Sequence, residues 1–415
     1  MSPVNDISTV DSGMKSAHGD RSPPNLRRSL VVLGVLAVVA GVVFKNRWHE
    51  PWFTPGVHAF RAAGGKVRLE DRKSEWIRAL GGEDFLATVD WLSLDNEKLS
   101  DGQVAALIRP FSEAQSLNLA KMPLGPATAA QLAHFTKLRW VSFSHLPVTE
   151  ELLTALGHSR SLMGIRLNDV QLQRQPLRAL TSLRQLKYIS LEGANVTEAQ
   201  LADLCAARGL ASLSLGRCSQ ITDAAWSHLA QLTKVTRLDL NDTAVTGAGI
   251  AQLAPCTCLT SLSLSGTGLT DNGLAEVASL PNVARLLVAR TSISDAGLAR
   301  LAGLTNLNEL DLAFTQVTDA GLTTIAALSR LTWLSLDGTA VTDRALVELS
   351  RLPTLDSLNL RNTNVTNAGL LALTGFPQLK SLDLCGTAVT DEAVIDFLRR
   401  NPRMTIQFNG GSRSP

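Results

Sequence analysis

From Val235 to Gln378 the chain repeats itself every 24 residues, through six consecutive blocks without insertion or deletion. VTRLDLNDTAVTGAGIAQLAPCTC is followed by LTSLSLSGTGLTDNGLAEVASLPN, and LNELDLAFTQVTDAGLTTIAALSR keeps the same frame. Apolar residues fill positions 1, 4, 6, 11, 16, 19 and 22, and threonine fills position 9 in seven consecutive units: Thr243, Thr267, Thr291, Thr315, Thr339, Thr363 and Thr387. The frame extends backwards through units starting at Leu210, Leu186, Leu162, Leu138, Ala114 and Val89, and forwards to Leu379. That makes 13 units, of which those from Val89 and Leu210 are one residue longer. A repeat of this length cannot bury its apolar side alone, so it must stack on copies of itself. This explains why the 415 residues are 45% hydrophobic but only 5% aromatic, with a single tyrosine. It also predicts one elongated array instead of two or three globular cores.

Within each unit, positions 3 to 6 alternate. Leu238 and Leu240 face inward from a short strand while Arg237 and Asp239 face out. Parallel pairing of 13 such strands at about 4.8 Å predicts a sheet of roughly 60 Å. The position-9 threonines are predicted to satisfy turn backbone groups and to bond neighbouring turns through their hydroxyls. In Thr-Asp-Ala-Gly-Leu, as at Thr318 to Leu322, either Thr318 or Asp319 can cap a short helix. Gly321, like Gly249, Gly273, Gly297 and Gly369, removes a Cβ where adjacent backbones crowd, and Leu322 and Ile325 close the core.

The pattern resembles the leucine-rich repeat, LxxLxLxx(N/C/T)xL, in the variant whose second half reads VTDAGLxxLxxL. The unit with Cys218 at position 9 resembles the cysteine-containing form. The resemblance covers residues 89 to 403. It implies an α/β fold: a right-handed leucine-rich-repeat solenoid with a parallel β-sheet on the concave face and short helices on the convex face. Residues 56 to 88 (AFRAAGGKVRLED, then WIRALGGEDFLATVDWLSL) are similar to the cap that precedes the repeats in bacterial membrane-anchored proteins of this kind.

The ends of the chain read differently. Residues 1–28, rich in Ser, Asp, Pro and Gly, have the composition of a disordered tail. Leu30 to Phe44 is an unbroken run of 15 apolar residues between Arg27, Arg28 and Ser29 on one side and Lys45 and Arg47 on the other. As a helix it spans about 22 Å, and snorkelling cations with Trp48 and Trp52 at headgroup depth extend it towards a bilayer's thickness. Residues 29–45 are therefore expected to be a transmembrane signal anchor. A cleaved signal peptide and a soluble helix are the alternatives; KNRWHEPW offers no small-residue cleavage site. Residues 46–88 follow as linker and N-terminal cap, and 404–415 as a C-terminal cap strand and tail. Four Lys or Arg lie in the 20 residues before the run and three in the 20 after, which places the repeats on the outer side by a narrow margin.

Charge excludes one class of partner. Residues 1–66 carry eight basic and four acidic side chains, leaving 31 basic and 33 acidic in the remainder, so the repeats lack the basic excess that phosphate binding needs. Nucleic acid is not an expected partner. No catalytic motif emerges: the seven histidines are scattered, Cys256-Thr257-Cys258 is too tightly spaced for a zinc knuckle, and Cys385 is expected to be an exposed thiol. No cofactor or metal is expected. The remaining signal is the concave surface, where the few aromatics fall at outward positions. Its candidate partner-binding residues are Trp140, Tyr188, Arg237, Asp239, Arg285, Arg290, Asp311, Phe314, Trp333 and Arg361. The expected function is a non-catalytic scaffold, tethered to a membrane through residues 30–44, that binds a protein or peptide. The alternative is a structural protein of the cell envelope acting through self-association of its repeats.

Overall fold

In the computed structural model, residues 54–70, 88–172, 177–325, 327–373, 376–409 and 411–413 are described. The apolar run at 30–44 lies outside them; among the described residues no helix is long and apolar enough to cross a membrane. The compact unit Gly56–Pro415 holds the repeats. Its N-terminal end is built by helix α1 (Thr54–Ala62) and strand β1 (Lys66–Glu70), which runs antiparallel to β2 (Thr88–Asp95). Phe60 of α1 is fully buried and meets Phe111 edge-on, with centroids 5.6 Å apart at 78°.

From β2 onwards the strands add in parallel, in sequence order, to form a sheet of 16 strands among the described residues. The register is the sequence period itself: Leu238 pairs with Leu262, Leu286 with Leu310, Leu310 with Leu334 and Leu358 with Leu382. In the second to fourth units the strands are five residues long, as at Ser116–Ala120; from the fifth they shorten to three, as at Arg237–Asp239. The period continues past residue 403. Thr405 pairs with Ser381, and an antiparallel strand, Gly411–Arg413, closes that end. Antiparallel strands at both ends cover edges that would otherwise template further pairing.

Most helices opposite the sheet are one or two turns long, for example Asp319–Ile325 and Asp343–Leu349, too short to hold without packing; the last, Asp391–Arg400, has 10 residues. Leu322 and Ile325 are buried as the pattern requires. Strands spaced more tightly than helices curve such a stack with its sheet inside.

Two polar files secure the turns. Six of the seven position-9 threonines are buried and Thr387 is half-buried, but their hydroxyls do not bond neighbouring turns. Thr243, Thr267, Thr291, Thr315, Thr339 and Thr363 each donate to the position-6 carbonyl of their own unit at 2.6 Å. The hydroxyl is short and the turn tight, so the nearest acceptor is three residues back. Cys218 alone reaches across, its Sγ lying 3.1 Å from the Leu191 carbonyl oxygen. In the second file, of the two capping candidates the threonine caps the helix, and the aspartate after it staples units together. Thr318 Oγ1 accepts from Ala320 N, whereas Asp319 accepts from both the amide and the hydroxyl of Thr342 in the next unit, at 2.8 and 2.6 Å. Asp271, Asp295 and Asp343 do the same for Ser294, Thr318 and Thr366. At Gly297, Gly321 and Gly369 the space a Cβ would take is occupied by the preceding aspartate's carboxylate. At Gly273 the neighbouring backbone crowds the site most, since a Cβ there would lie 2.6 Å from the Thr246 carbonyl oxygen; at Gly321 and Gly297 it would also come within 3.0 and 3.1 Å of the aspartate's Cα.

Candidate functional site

The outward rows of the sheet face are set by the period. Positions 3 and 5 lie on the strands; positions 7 and 8 lie on the turn that follows. Neighbouring strands are about 4.8 Å apart, closer than an aromatic ring is wide, so a large side chain needs a small neighbour to lie across. Position 3 obeys this in the sequence Trp140, Gly164, Tyr188, Ser212, Arg237. The Trp140 indole covers Gly164, where a Cβ would collide with it, and stacks on Tyr188 two units away, with centroids 5.4 Å apart and an interplanar angle of 27°. Arg237 extends the stack, its Cζ 5.7 Å from the Tyr188 ring centroid. Further along the row, Arg285 is ion-paired with Glu309 at 2.5 Å, and half-buried Trp333 stands beside Glu309 in register.

Position 8 carries a backbone constraint. In twelve consecutive units it has positive φ: Lys121, His145, Asp169, Gly193, Arg217, Asp242, Gly266, Arg290, Phe314, Gly338, Asn362 and Gly386. Arg290 and Phe314 therefore stand on the turn and not on the strand. This left-handed conformation suits Gly, Asn and Asp; other residues pay roughly 1 kcal/mol or more for it. The four glycines have a second use. Each lies beneath the side chain of the preceding unit: Asp169 over Gly193, Asp242 over Gly266, Phe314 over Gly338 and Asn362 over Gly386. Two ion pairs cross such a glycine to join residues 48 apart, Arg217 with Asp169 at 3.0 Å and Arg290 with Asp242 at 3.1 Å. Arg217 also takes Glu192, and its guanidinium is held above its ordinary pKa, chiefly by hydrogen bonding to Asp169 and then to Glu192. We expect Gly266→Ala to destabilise the fold by about 1–2 kcal/mol, from left-handed strain and displacement of the Asp242 carboxylate. Urea unfolding measures it; an unchanged midpoint would show that the turn tolerates a Cβ.

Phe314 is the outlier of this row. It is 53% exposed, sits at φ 54° and lacks the side-chain polar group that lets Asn or Asp tolerate this conformation. Trp140 is 46% exposed. Arg237, Arg285, Arg290 and Arg361 are exposed, and Asp239, Asp311, Tyr188 and Trp333 are half-buried. The ten residues singled out from the sequence are thus brought onto one face in two groups. Trp140, Tyr188, Arg237 and Asp239 belong to the third to seventh units; Arg285, Arg290, Asp311, Phe314, Trp333 and Arg361 belong to the ninth to twelfth.

The Asp311 carboxyl has a pKa above its ordinary value because burial disfavours the charge; bonds from the Ala313 amide and the Ser335 hydroxyl oppose this, Asp337 adds to it and Arg290 lowers it. A folded-state pKa above the unfolded one means that Asp311 lowers stability once pH rises past the ordinary carboxylate value, and fully so above its raised value. Asp311→Asn keeps an acceptor for Ala313 N and removes the charge. The variant is expected to melt higher than the parent at neutral pH, with the difference vanishing in acid. A lower melting temperature at neutral pH would contradict the burial argument.

Burial pushes the Cys205 and Cys218 thiols up to about 12, which makes them poor nucleophiles, and it raises Cys256 too. Cys385 is half-buried instead of fully exposed, and burial and then its contact with Asp383 raise its pKa. Cys258 is exposed. Among the described residues, no group of three or more His, Cys, Asp or Glu side chains is placed to hold a metal. Two features of the face were not drawn from the sequence: the large-small alternation at position 3 and the left-handed row at position 8. Both left a signal, Gly164 and Ser212 between bulky residues and glycine recurring at 193, 266, 338 and 386.

The comparisons with known proteins agree with this geometry. The Leucine Rich repeat family model matches residues 256–278, 303–326 and 351–373. Among solved structures, the chain is similar to an internalin from Listeria monocytogenes, with a TM-score of 0.53 and 21% identity over 81% of this chain and 93% of that one. It is also similar to mouse RP105 in the RP105/MD-1 complex, with a TM-score of 0.53 and 18% identity over 75% of this chain and 57% of that one. At these identities the likeness is one of fold. No curated protein matches the sequence significantly. The period, the in-register parallel sheet and the matched repeats together show an α/β solenoid fold built of leucine-rich repeats.

Proposed function

We propose that the chain is a non-catalytic protein–protein interaction scaffold whose concave sheet face docks a protein or peptide. The supporting observation is Phe314, an exposed aromatic retained in a left-handed turn where it fills no core. Strain of that kind is kept where a side chain serves a purpose other than folding. Exposed aromatics and arginines are also the residue types that most often anchor interfaces. A preformed sheet presents them without an ordering cost. The structure of RP105 with MD-1 is that of a complex, which supports the reading by analogy of fold alone. The test is proximity labelling from the repeats in cells, repeated with Trp333→Ala and Arg290→Glu. Loss of the same partners in both variants supports the face; undiminished recovery by both rejects it.

The proposal includes the apolar run at 30–44 as a signal anchor that holds the repeats on the outer side of a membrane, in the manner of bacterial membrane-anchored proteins with such repeats. Alkaline extraction of membranes with N-terminal sequencing tests this, and release of a shortened chain into the soluble fraction would reject it. Self-association is the second reading, favoured by Val347 and Leu371. These are 53% and 73% exposed at the same position of consecutive units, on the helix face. Sedimentation at increasing concentration distinguishes the two.

A further inference from the structure

The Trp140 group has a chemistry of its own. The Trp140–Tyr188 stack at 5.4 Å is followed by the Arg237 guanidinium, whose Cζ lies over the Tyr188 ring at 5.7 Å from its centroid. Three arginines occupy strand positions of this face: Arg166, Arg237 and Arg285. Arg285 is neutralised by Glu309, and on the adjoining turn Arg217 and Arg290 are neutralised by Asp169, Glu192 and Asp242. Arg166 and Arg237 enter no ion pair among the described residues. The carboxylate nearest in sequence to Arg237, Asp239, instead accepts from the Ser214 hydroxyl and the Asn241 amide, both at 3.0 Å. Arg166 pairs in register with Ser190, so it stands beside the strand of Tyr188 and on the same face. The third to seventh units therefore present an exposed indole, a stacked phenol and two guanidiniums without carboxylate partners. Among residues of the face without an ion pair, Arg166 and Arg237 outnumber Asp239 in these units, whereas Asp311, Asp337 and Asp383 outnumber Arg361 in the later ones.

We infer that this platform binds an extended, acidic segment of a partner protein that carries an aromatic side chain. The inference rests on the concave-face reading and adds the chemistry of the partner. Carboxylates complement Arg166 and Arg237, and an aromatic ring complements the exposed Trp140 edge. Five units separate Trp140 from Arg237 inclusively, so four strand spacings of about 4.8 Å give roughly 19 Å, the length of about six extended residues. A nucleic acid would also stack and pair with arginine, but it needs cations along a continuous track, and the repeats are slightly acidic overall.

The test uses the full chain and two fluorescein-labelled peptides, Asp-Glu-Phe-Asp-Glu and Lys-Lys-Phe-Lys-Lys, followed by anisotropy. The acidic peptide should bind saturably, more weakly as salt rises, and at least about tenfold more weakly to Arg237→Gln and Trp140→Ala. Arg237→Lys, which keeps the charge but loses the guanidinium's forked donors, should fall between; circular dichroism confirms that each variant is folded. Arg300→Gln, an exposed residue on the helix side of the repeats, should bind as the parent does. Equal binding of the lysine peptide, or insensitivity to both platform variants, overturns the inference, as does tighter binding of an oligothymidylate at the same residues. If the acidic peptide fails to bind while partner recovery still depends on Trp333 and Arg290, this inference falls and the concave-face reading stands.

Discussion

Trp226→Ala is expected to destabilise the fold by about 3–5 kcal/mol, the range for removing a fully buried aromatic. Trp226 is 0% exposed and fills position 16 of its unit, where neighbouring units place Ile250 and Leu274. Its indole Nε1–H donates to Asp223 at 3.0 Å, and the same carboxylate accepts from the amides of Thr246 and Gly247 in the next unit, at 2.9 and 3.1 Å. Truncation therefore opens a cavity and loosens one of the aspartate staples. Because each repeat contacts only its neighbours, the loss is felt at one interface of the stack, and urea unfolding should broaden as well as shift. Trp226→Leu restores the side chain common at this position and should lose less than half as much. Equal losses in the two variants would mean that the staple, and not the volume, dominates.

Phe314→Asn should separate folding from binding. The substitution places a residue suited to φ 54° where the chain now holds an aromatic that covers Gly338 without entering the core. Relief of the strained turn is worth roughly 0.5–1 kcal/mol, so the variant should be as stable as the parent or slightly more so. Partner recovery should nevertheless drop by about tenfold or more, as for an interface anchor. A variant that is destabilised by more than about 1 kcal/mol and binds normally would make Phe314 a structural residue.

The period in the sequence was enough to place every inward residue, because a 24-residue frame fixes which leucine meets which; Leu286 pairs with Leu310 as the frame requires. It could not give the direction of the polar bonds. Thr315 and Asp319 are each able to bond within a unit or between units. The choice depends on turn geometry a few tenths of an ångström wide, and the threonine turned inward while the aspartate turned outward. For the sheet face, the pattern located Trp140, Tyr188 and Arg237 in one row, but their stacking across Gly164 and Ser212 depends on ring orientation that a linear pattern does not carry. The frame puts Arg290 and Phe314 among the outward residues, and their left-handed backbone places them on the turn that follows the strand.

Hydroxyl-radical footprinting of the chain in intact cells, compared with the purified chain, tests the central claim most directly. If the sheet face is the interaction surface, Trp140, Tyr188, Phe314 and Trp333 should be protected from oxidation in the native setting, while Val347 and Leu371 on the helix face react as in the purified chain. Protection of Val347 and Leu371 with unchanged reactivity of the four aromatics would contradict the account and place the partner on the opposite face.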